Sequence, residues 1–255
     1  MTDPTVTSSE LMVTIAAREL RDGESVLVGV GIPNLAANLA KRMHAPNLIL
    51  IYESGTIGSN PQRMPLSIGD PCLVTGAKSV CSMYEQFAYY IQGGRIDVGF
   101  LGGAQIDRFG NINSTVIGTY AKPKVRLPGS GGACETALNA KRILVITPHE
   151  KRRFIEKVDF VTSPGFLDGK ARWHGLKAQG GGPYAVLTDL GTLTFDEVTG
   201  EMTLTALNPG VTVAKVQENT PWPLKVAAAM KENPPPTAEE LKVLRALDPE
   251  RIYLG

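Results

Sequence analysis

Apolar residues recur at helical spacing over Leu11, Ile15, Ala16 and Leu20. Just ahead of them Thr7, with Glu10 three residues on, forms a capping-box pattern. A first helix is therefore expected there, stopped by Gly23. Residues 24–30 (ESVLVGV) are rich in β-branched side chains and read as a strand. Gly31-Ile32-Pro33-Asn34 then turns the chain into a second helix carrying Leu35, Leu39 and Met43. Residues 47–53 (NLILIYE) are nearly all apolar, as in a strand buried on both faces. Helix, strand, helix and strand in this order begin a parallel sheet.

Residues 54–82, with Gly, Pro and Ser throughout, predict irregular structure. A helix is expected over 83–92, carrying Tyr84, Phe87, Ala88 and Ile91 and ended by Gly93-Gly94. Apolar stretches at 96–101, 111–118, 142–147 and 158–162 read as further strands. Residues 191–195 and 201–205 flank Thr199-Gly200 and read as a hairpin. A short helix follows, capped by Thr237 with Glu240 and carrying Leu241, Leu244 and Leu247. The prolines at 234–236 make 231–236 a linker or a strap across the surface. The expected fold is α/β: an open, mostly parallel sheet with helices on both faces, a C-terminal hairpin and a short helix. It is read as one domain over 1–255, with the strap and helix from about 218.

Composition narrows the partners. Lys plus Arg number 26 and Asp plus Glu 25, a net charge of +1, so no basic excess points to nucleic acid or a membrane surface. No apolar run approaches the roughly 20 residues of a membrane-spanning helix. Met1-Thr2-Asp3-Pro4 lacks the basic and apolar regions of a signal peptide. Cys72, Cys81 and Cys134 are an odd, widely spaced set without a C-x-x-C pair, which argues against a disulfide framework or a zinc site. A cytoplasmic protein without a metal centre is expected.

Glu53 ends an apolar strand just before Ser54-Gly55. In open α/β sheets ligands bind at that end of the strands, and partial desolvation there raises a carboxylate's pKa and makes it a stronger nucleophile or base. A capping or salt-bridging glutamate fits the same position. Gly29-Val30-Gly31 resembles a dinucleotide-binding turn but lacks its third glycine. Gly129-Ser130-Gly131-Gly132-Ala133 can present successive backbone N–H groups to a phosphate or oxyanion, or be a surface loop. Gly180-Gly181-Gly182 reads as a loop. His149-Glu150-Lys151-Arg152-Arg153 can reach phosphates or simply open a solvated segment. His44 and His174 lack metal-ligand spacing, and the cysteines read as small packing residues.

Taken in order, these motifs resemble the class I coenzyme A transferases, in the beta (B) chain form of glutaconate CoA-transferase. Residues 29–33, Glu53-Ser54-Gly55, 100–107 (FLGGAQID), 110–115 (GNINST), 129–133, 149–154 (HEKRRF) and 161–165 (VTSPG) carry the likeness, collinear over roughly 10–250. The resemblance implies half of a two-subunit enzyme that needs an alpha subunit. It implies that Glu53 attacks an acyl-CoA thioester to give a mixed anhydride and then a glutamyl-CoA thioester, with CoA as a substrate and no permanently bound cofactor. It places Gly131 and Gly132 in the CoA-thioester pocket with Asn113 nearby, Gly31 beneath Glu53, and Lys151 at a CoA phosphate. The substrates would be an acyl-CoA and a carboxylic acid, glutaconate-like and dicarboxylic. Alternatives on the same fold are an acyl-CoA decarboxylase or a ring-opening CoA-thioester hydrolase. A non-catalytic sugar-phosphate-binding protein and a Rossmann dehydrogenase are further rivals.

Overall fold

A computed structural model describes residues 6–255, so Met1-Thr2-Asp3-Pro4, read above for a signal sequence, lies outside the described residues. The chain forms two compact units, Met1–Phe100 with Pro235–Gly255, and Leu101–Pro234.

In the first unit α1 (Ser8–Arg18) opens on the expected capping box. Glu10 N donates to Thr7 Oγ1 at 3.2 Å, and Thr7 N donates back to Glu10 Oε2 at 2.9 Å. The helix ends at Arg18, short of Gly23, which belongs to the next turn. There follow β1 (Ser25–Leu27), α2 (Ile32–Met43), β2 (Ile49–Ile51), β3 (Thr56–Ile57) and β4 (Ser79–Val80). Next come α3 (Met83–Glu85), which continues directly as a π-helix (Gln86–Ile91), and β5 (Val98–Leu101). The strands run in the order β5-β1-β2-β3-β4. The three apolar strands pair in parallel, and β3 and β4 add antiparallel to the edge.

The expected C-terminal helix (Ala238–Leu247) packs against α1 and α2 and shares a core with Val13, Ala16, Leu35 and Leu39. Two ion pairs fasten it there. Arg18 reaches Glu240 at 2.6 Å, and Arg245 reaches the fully buried Glu10 at 2.8 Å.

The second unit starts with two small hairpins, β6 (Gln105–Ile106) with β7 (Ile112–Asn113) and β8 (Val116–Gly118) with β9 (Pro123–Arg126). The single strand expected over 111–118 is thus broken in two. Asn113 Oδ1 accepts from Thr115 N and Val116 N at 2.9 and 3.2 Å, and this side-chain turn redirects the backbone. Residues 158–162 form no strand; Thr162 N donates to Ile112 O at 2.9 Å, and the isolated bridge to Ile112 falls on Ser163, just beyond them.

α4 (Ala133–Asn139), β10 (Arg142–Ile146), α5 (Lys170–Gly175), β11 (Pro183–Leu187), β12 (Gly191–Phe195), β13 (Met202–Leu207), α6 (Val213–Glu218) and β14 (Lys225–Glu232) complete the unit. Its sheet has the order β14-β13-β12-β11-β10. β10 and β11 are parallel, the expected hairpin is β12–β13, and β14 occupies part of the segment read as a strap. The 180–182 glycines are no free loop. A Cβ at Gly180 or Gly181 would lie 2.5 or 2.2 Å from the carbonyl oxygens of Ala140 and Lys141. The α/β class and the open sheet expected from the sequence hold. No helix among the described residues is long and apolar enough to cross a membrane.

Candidate active site

β1 and β2 run in parallel register, with Leu27 beside Ile51, so the segments after them leave from the same carboxyl-terminal edge. From β1 emerge Gly29-Val30-Gly31, and Gly31 caps α2 with φ +92°. From β2 emerges Tyr52-Glu53-Ser54-Gly55. Here the chain reverses: Gly55 N donates to Tyr52 O at 2.9 Å, and Tyr52 N donates to Thr56 O at 3.0 Å. Glu53 and Ser54 are the central residues of this β-turn, at its tip.

Gly55 is required by contact. Its φ is +105°, and an added Cβ would stand 1.9 Å from Cys81 O. Cys81 N donates to Gly55 O at 2.9 Å, which locks the turn to the edge of β4. The spacing of Glu53, Ser54 and Gly55 therefore has a physical reason: the glycine lets the turn press flat on the neighbouring backbone while the glutamate stands at its tip.

Glu53 is half-buried, and burial pushes its carboxyl above the ordinary glutamate range. Among the described residues its carboxylate accepts no hydrogen bond. The residue before it is anchored from below. Tyr52 OH donates to Asn34 Oδ1 at 2.7 Å, and Asn38 Nδ2 donates to the same oxygen at 2.8 Å. Asn34, Asn38 and Tyr52 are all buried, so this network joins the first turns of α2 to the strand that delivers Glu53. These three escaped the reading of the sequence. The available signal was a pair of amides four residues apart on an otherwise apolar helix face.

The remaining candidates lie in the second unit. Gly131 has φ +49° and Gly132 φ −83°, ψ 1°, the alternating hands that turn successive N–H groups to one side. Among the described residues no protein acceptor takes the N–H of Ser130, Gly131 or Gly132, and nothing lies within 4 Å of a Cβ built on Gly131. Gly129 ties the loop to the 114–115 segment, its N donating to Ser114 O at 2.8 Å and its O accepting from Ser114 Oγ at 2.7 Å.

Asn113 is fully buried and its amide is spent. Nδ2 donates to Gln105 Oε1 and Val116 O, each at 2.6 Å, while Oδ1 holds the 115–116 turn. It shapes the backbone near the loop and presents no free polar atom.

The basic run divides. His149 is core, stacked on Phe154 with centroids 3.8 Å apart, and burial pushes its pKa down to about 4. Glu150 pairs with Arg152 and Arg153, and Lys151 stays exposed without an ion pair among the described residues. Thus Gly31 and Glu53 follow neighbouring parallel strands in the first unit, and Asn113, Gly131, Gly132 and Lys151 belong to the second. No cluster of three potential metal-ligating His, Cys, Asp or Glu side chains occurs among the described residues.

A coenzyme A transferase family model matches residues 10–219, which spans both the Glu53 turn and the glycine loop. The chain belongs to the coenzyme A transferase family. It is 49% identical to the B subunit of the 3-oxoadipate CoA-transferase of Pseudomonas knackmussii, over 94% of this chain and 93% of that one. It is 38% identical to the B subunit of the glutaconate CoA-transferase of Acidaminococcus fermentans, over 97% and 95%. The crystal structure of glutaconate CoA-transferase from Acidaminococcus fermentans superposes with a TM-score of 0.92 at 36% identity, covering 98% of each chain. The decarboxylase AibA/AibB, at 24% identity and a TM-score of 0.83 over 97% of each chain, shares the fold. A CoA-transferase thus carries its conspicuous carboxylate on a turn between an apolar parallel strand and an antiparallel edge.

Proposed function

We propose that this chain is the B subunit of a hetero-oligomeric CoA-transferase, that it works with an alpha subunit in the cytoplasm, and that Glu53 is its nucleophile. The whole chain, both units, is one functional subunit in this reading. The observation that carries it is the Glu53 turn: a half-buried carboxylate with no donor on its oxygens among the described residues, at the carboxyl edge of parallel strands. Such a carboxylate is poorly solvated, which strengthens it as an oxygen nucleophile once ionised.

The chemistry balances without a resident cofactor. A Glu53 oxygen bonds to the thioester carbonyl carbon, the C–S bond breaks, and CoA leaves as the thiolate with the electron pair. The thiolate then attacks the glutamyl carbonyl of the resulting anhydride, forming a C–S bond and releasing the first acid as its carboxylate. A second carboxylate attacks the glutamyl-CoA and the sequence runs in reverse. Each addition creates an oxyanion. The free N–H groups of Gly131 and Gly132, with Asn113 holding the adjoining backbone, are suited to an anionic group of the CoA thioester. Gly31 shapes the floor below Glu53, and exposed Lys151 takes a CoA phosphate.

The acid is a dicarboxylate of the glutaconate and 3-oxoadipate class, with 3-oxoadipate favoured by the 49% identity of that relative against 38% for the glutaconate enzyme. The test incubates the complex of this chain with its alpha subunit with succinyl-CoA, glutaconyl-CoA or 3-oxoadipyl-CoA, reduces it with borohydride, and maps the peptides by mass spectrometry. A reduced residue at Glu53, strongest with 3-oxoadipyl-CoA, is expected. Acyl-CoA consumption with Glu53 unmodified would refute the covalent route and favour decarboxylation or ring hydrolysis on the same fold.

A further inference from the structure

Buried polar atoms normally find partners, so an orphan beside a reacting group asks for an explanation. Gln86 is such a case. Its side chain is 0% exposed, and Nε2 has no acceptor. Cys81 Sγ stands 3.9 Å from Gln86 Oε1 and 3.3 Å from Gly55 O, so Cys81 links the carboxamide to the turn that carries Glu53. Among the described residues the carboxylate at the tip of that turn lacks a donor, and the amide behind Cys81 lacks an acceptor.

The topology fixes the face on which the Gln86 helix lies. Tyr52 faces α2, because its hydroxyl is bonded to Asn34. β4 runs parallel to β5 through two antiparallel steps, and the crossover between them travels back across the sheet relative to the β1–α2–β2 crossover. Right-handedness of both connections therefore sets the 83–91 helix on the face opposite α2. Gln86 is also the first residue of the π-helical turn, a local widening of the helix that is frequent at functional sites.

We propose that Gln86 is a catalytic residue whose Nε2–H donates to the carbonyl oxygen of the Glu53 acyl group. This rests on the reading of Glu53 as nucleophile. When the CoA thiolate adds to the glutamyl carbonyl carbon, that oxygen takes the electron pair and becomes an oxyanion. When the tetrahedral species collapses, the C–O bond to the departing carboxylate breaks and the pair leaves with it. A neutral amide can serve the oxyanion without neutralising the carboxylate that must first attack.

The experiment compares the two-subunit complex carrying wild-type Gln86, Gln86→Met or Gln86→Asn in steady-state transfer from succinyl-CoA to 3-oxoadipate, with borohydride mapping and thermal unfolding in parallel. Methionine keeps the length and removes the donor; asparagine keeps the donor and withdraws it. Loss of one oxyanion donor predicts a kcat lower by about 10²-fold for Gln86→Met, with KM changed less than about threefold. Gln86→Asn should lose at least about tenfold in kcat, and it provides the readout if the methionine variant does not fold. A wild type labelled at Glu53 together with variants of normal kcat would overturn the role of Gln86 alone. Variants whose kcat, KM and melting temperature fall together would reduce Gln86 to a packing residue and overturn it as well. A wild type with no label at Glu53 would refute the nucleophile, and the role of Gln86 with it.

Discussion

The Glu53 turn is built around Gly55, so Gly55→Ala is the most exacting perturbation of the site. The new Cβ would meet Cys81 O at 1.9 Å and the Cys81 carbonyl carbon at 2.9 Å. Both atoms are backbone, so no rotamer change relieves the clash. Overpacking of this kind costs ~1–3 kcal/mol, and a Cβ at φ +105° adds ~1–2 kcal/mol. Relief requires the turn to lift, which sacrifices the 2.9 Å bond from Cys81 N to Gly55 O, worth ~1 kcal/mol. The expected destabilisation is ~4 kcal/mol, or a melting temperature lower by about 8–15 °C for a chain of this size. Turnover should fall more steeply than the folded fraction, because lifting the turn moves Glu53. Gly210→Ala is the control. Its φ is +76° and nothing lies within 4 Å of its Cβ, so strain alone remains, ~1 kcal/mol. Calorimetry and transfer kinetics on both variants decide the matter. A Gly55→Ala enzyme as stable and active as the Gly210→Ala control would refute the argument.

Glu53→Ala should abolish transfer while the fold and the assembly with the alpha subunit persist, checked by activity, circular dichroism and gel filtration. Because burial raises the Glu53 pKa, the carboxyl binds its proton more tightly folded than unfolded. Its contribution to stability is therefore lost as pH rises through the folded pKa, and Glu53→Ala should melt higher than wild type at pH 7 but not at pH 4. By the same titration, the acid limb of the rate profile should lie above the pKa of an ordinary glutamate. Glu10 has the opposite sign. Desolvation opposes its charge, yet hydrogen bonds from Arg245 and Thr7 hold its pKa below the usual value, so it stabilises above the unfolded pKa and ceases to as pH falls. Glu10→Gln should cost ~2–3 kcal/mol at pH 7, since it takes the carboxylate away from Arg245 and leaves a buried amide in its place, and the deficit should shrink towards pH 3 in thermal melts. Lys151→Ala should raise KM for acyl-CoA several-fold and leave the melting temperature unchanged; no change in KM would remove Lys151 from the phosphate site.

Much of this protein was legible in its residue order. The capping boxes at Thr7 and Thr237, the apolar strands at 49–51 and 142–146 and the 191–207 hairpin are local matters, set by side-chain-to-backbone bonds and by periodicity within a few residues. The motif order likewise pointed to the family. What local reasoning could not reach depends on neighbours distant in sequence. The 111–118 strand broke because the amide of Asn113 captured the backbone just beyond it and was itself held by Gln105. The glycines at 180–182 looked free until the backbone at 138–141 came within contact of them. The sequence alone placed a glutamate before Ser54-Gly55. Only the tertiary structure decided that Gly55 must lie flat on Cys81, that Tyr52 is tied to Asn34, and that Cys81 links Gln86 to the same turn from around thirty positions on, because packing is a property of pairs that the chain brings together only after it has folded.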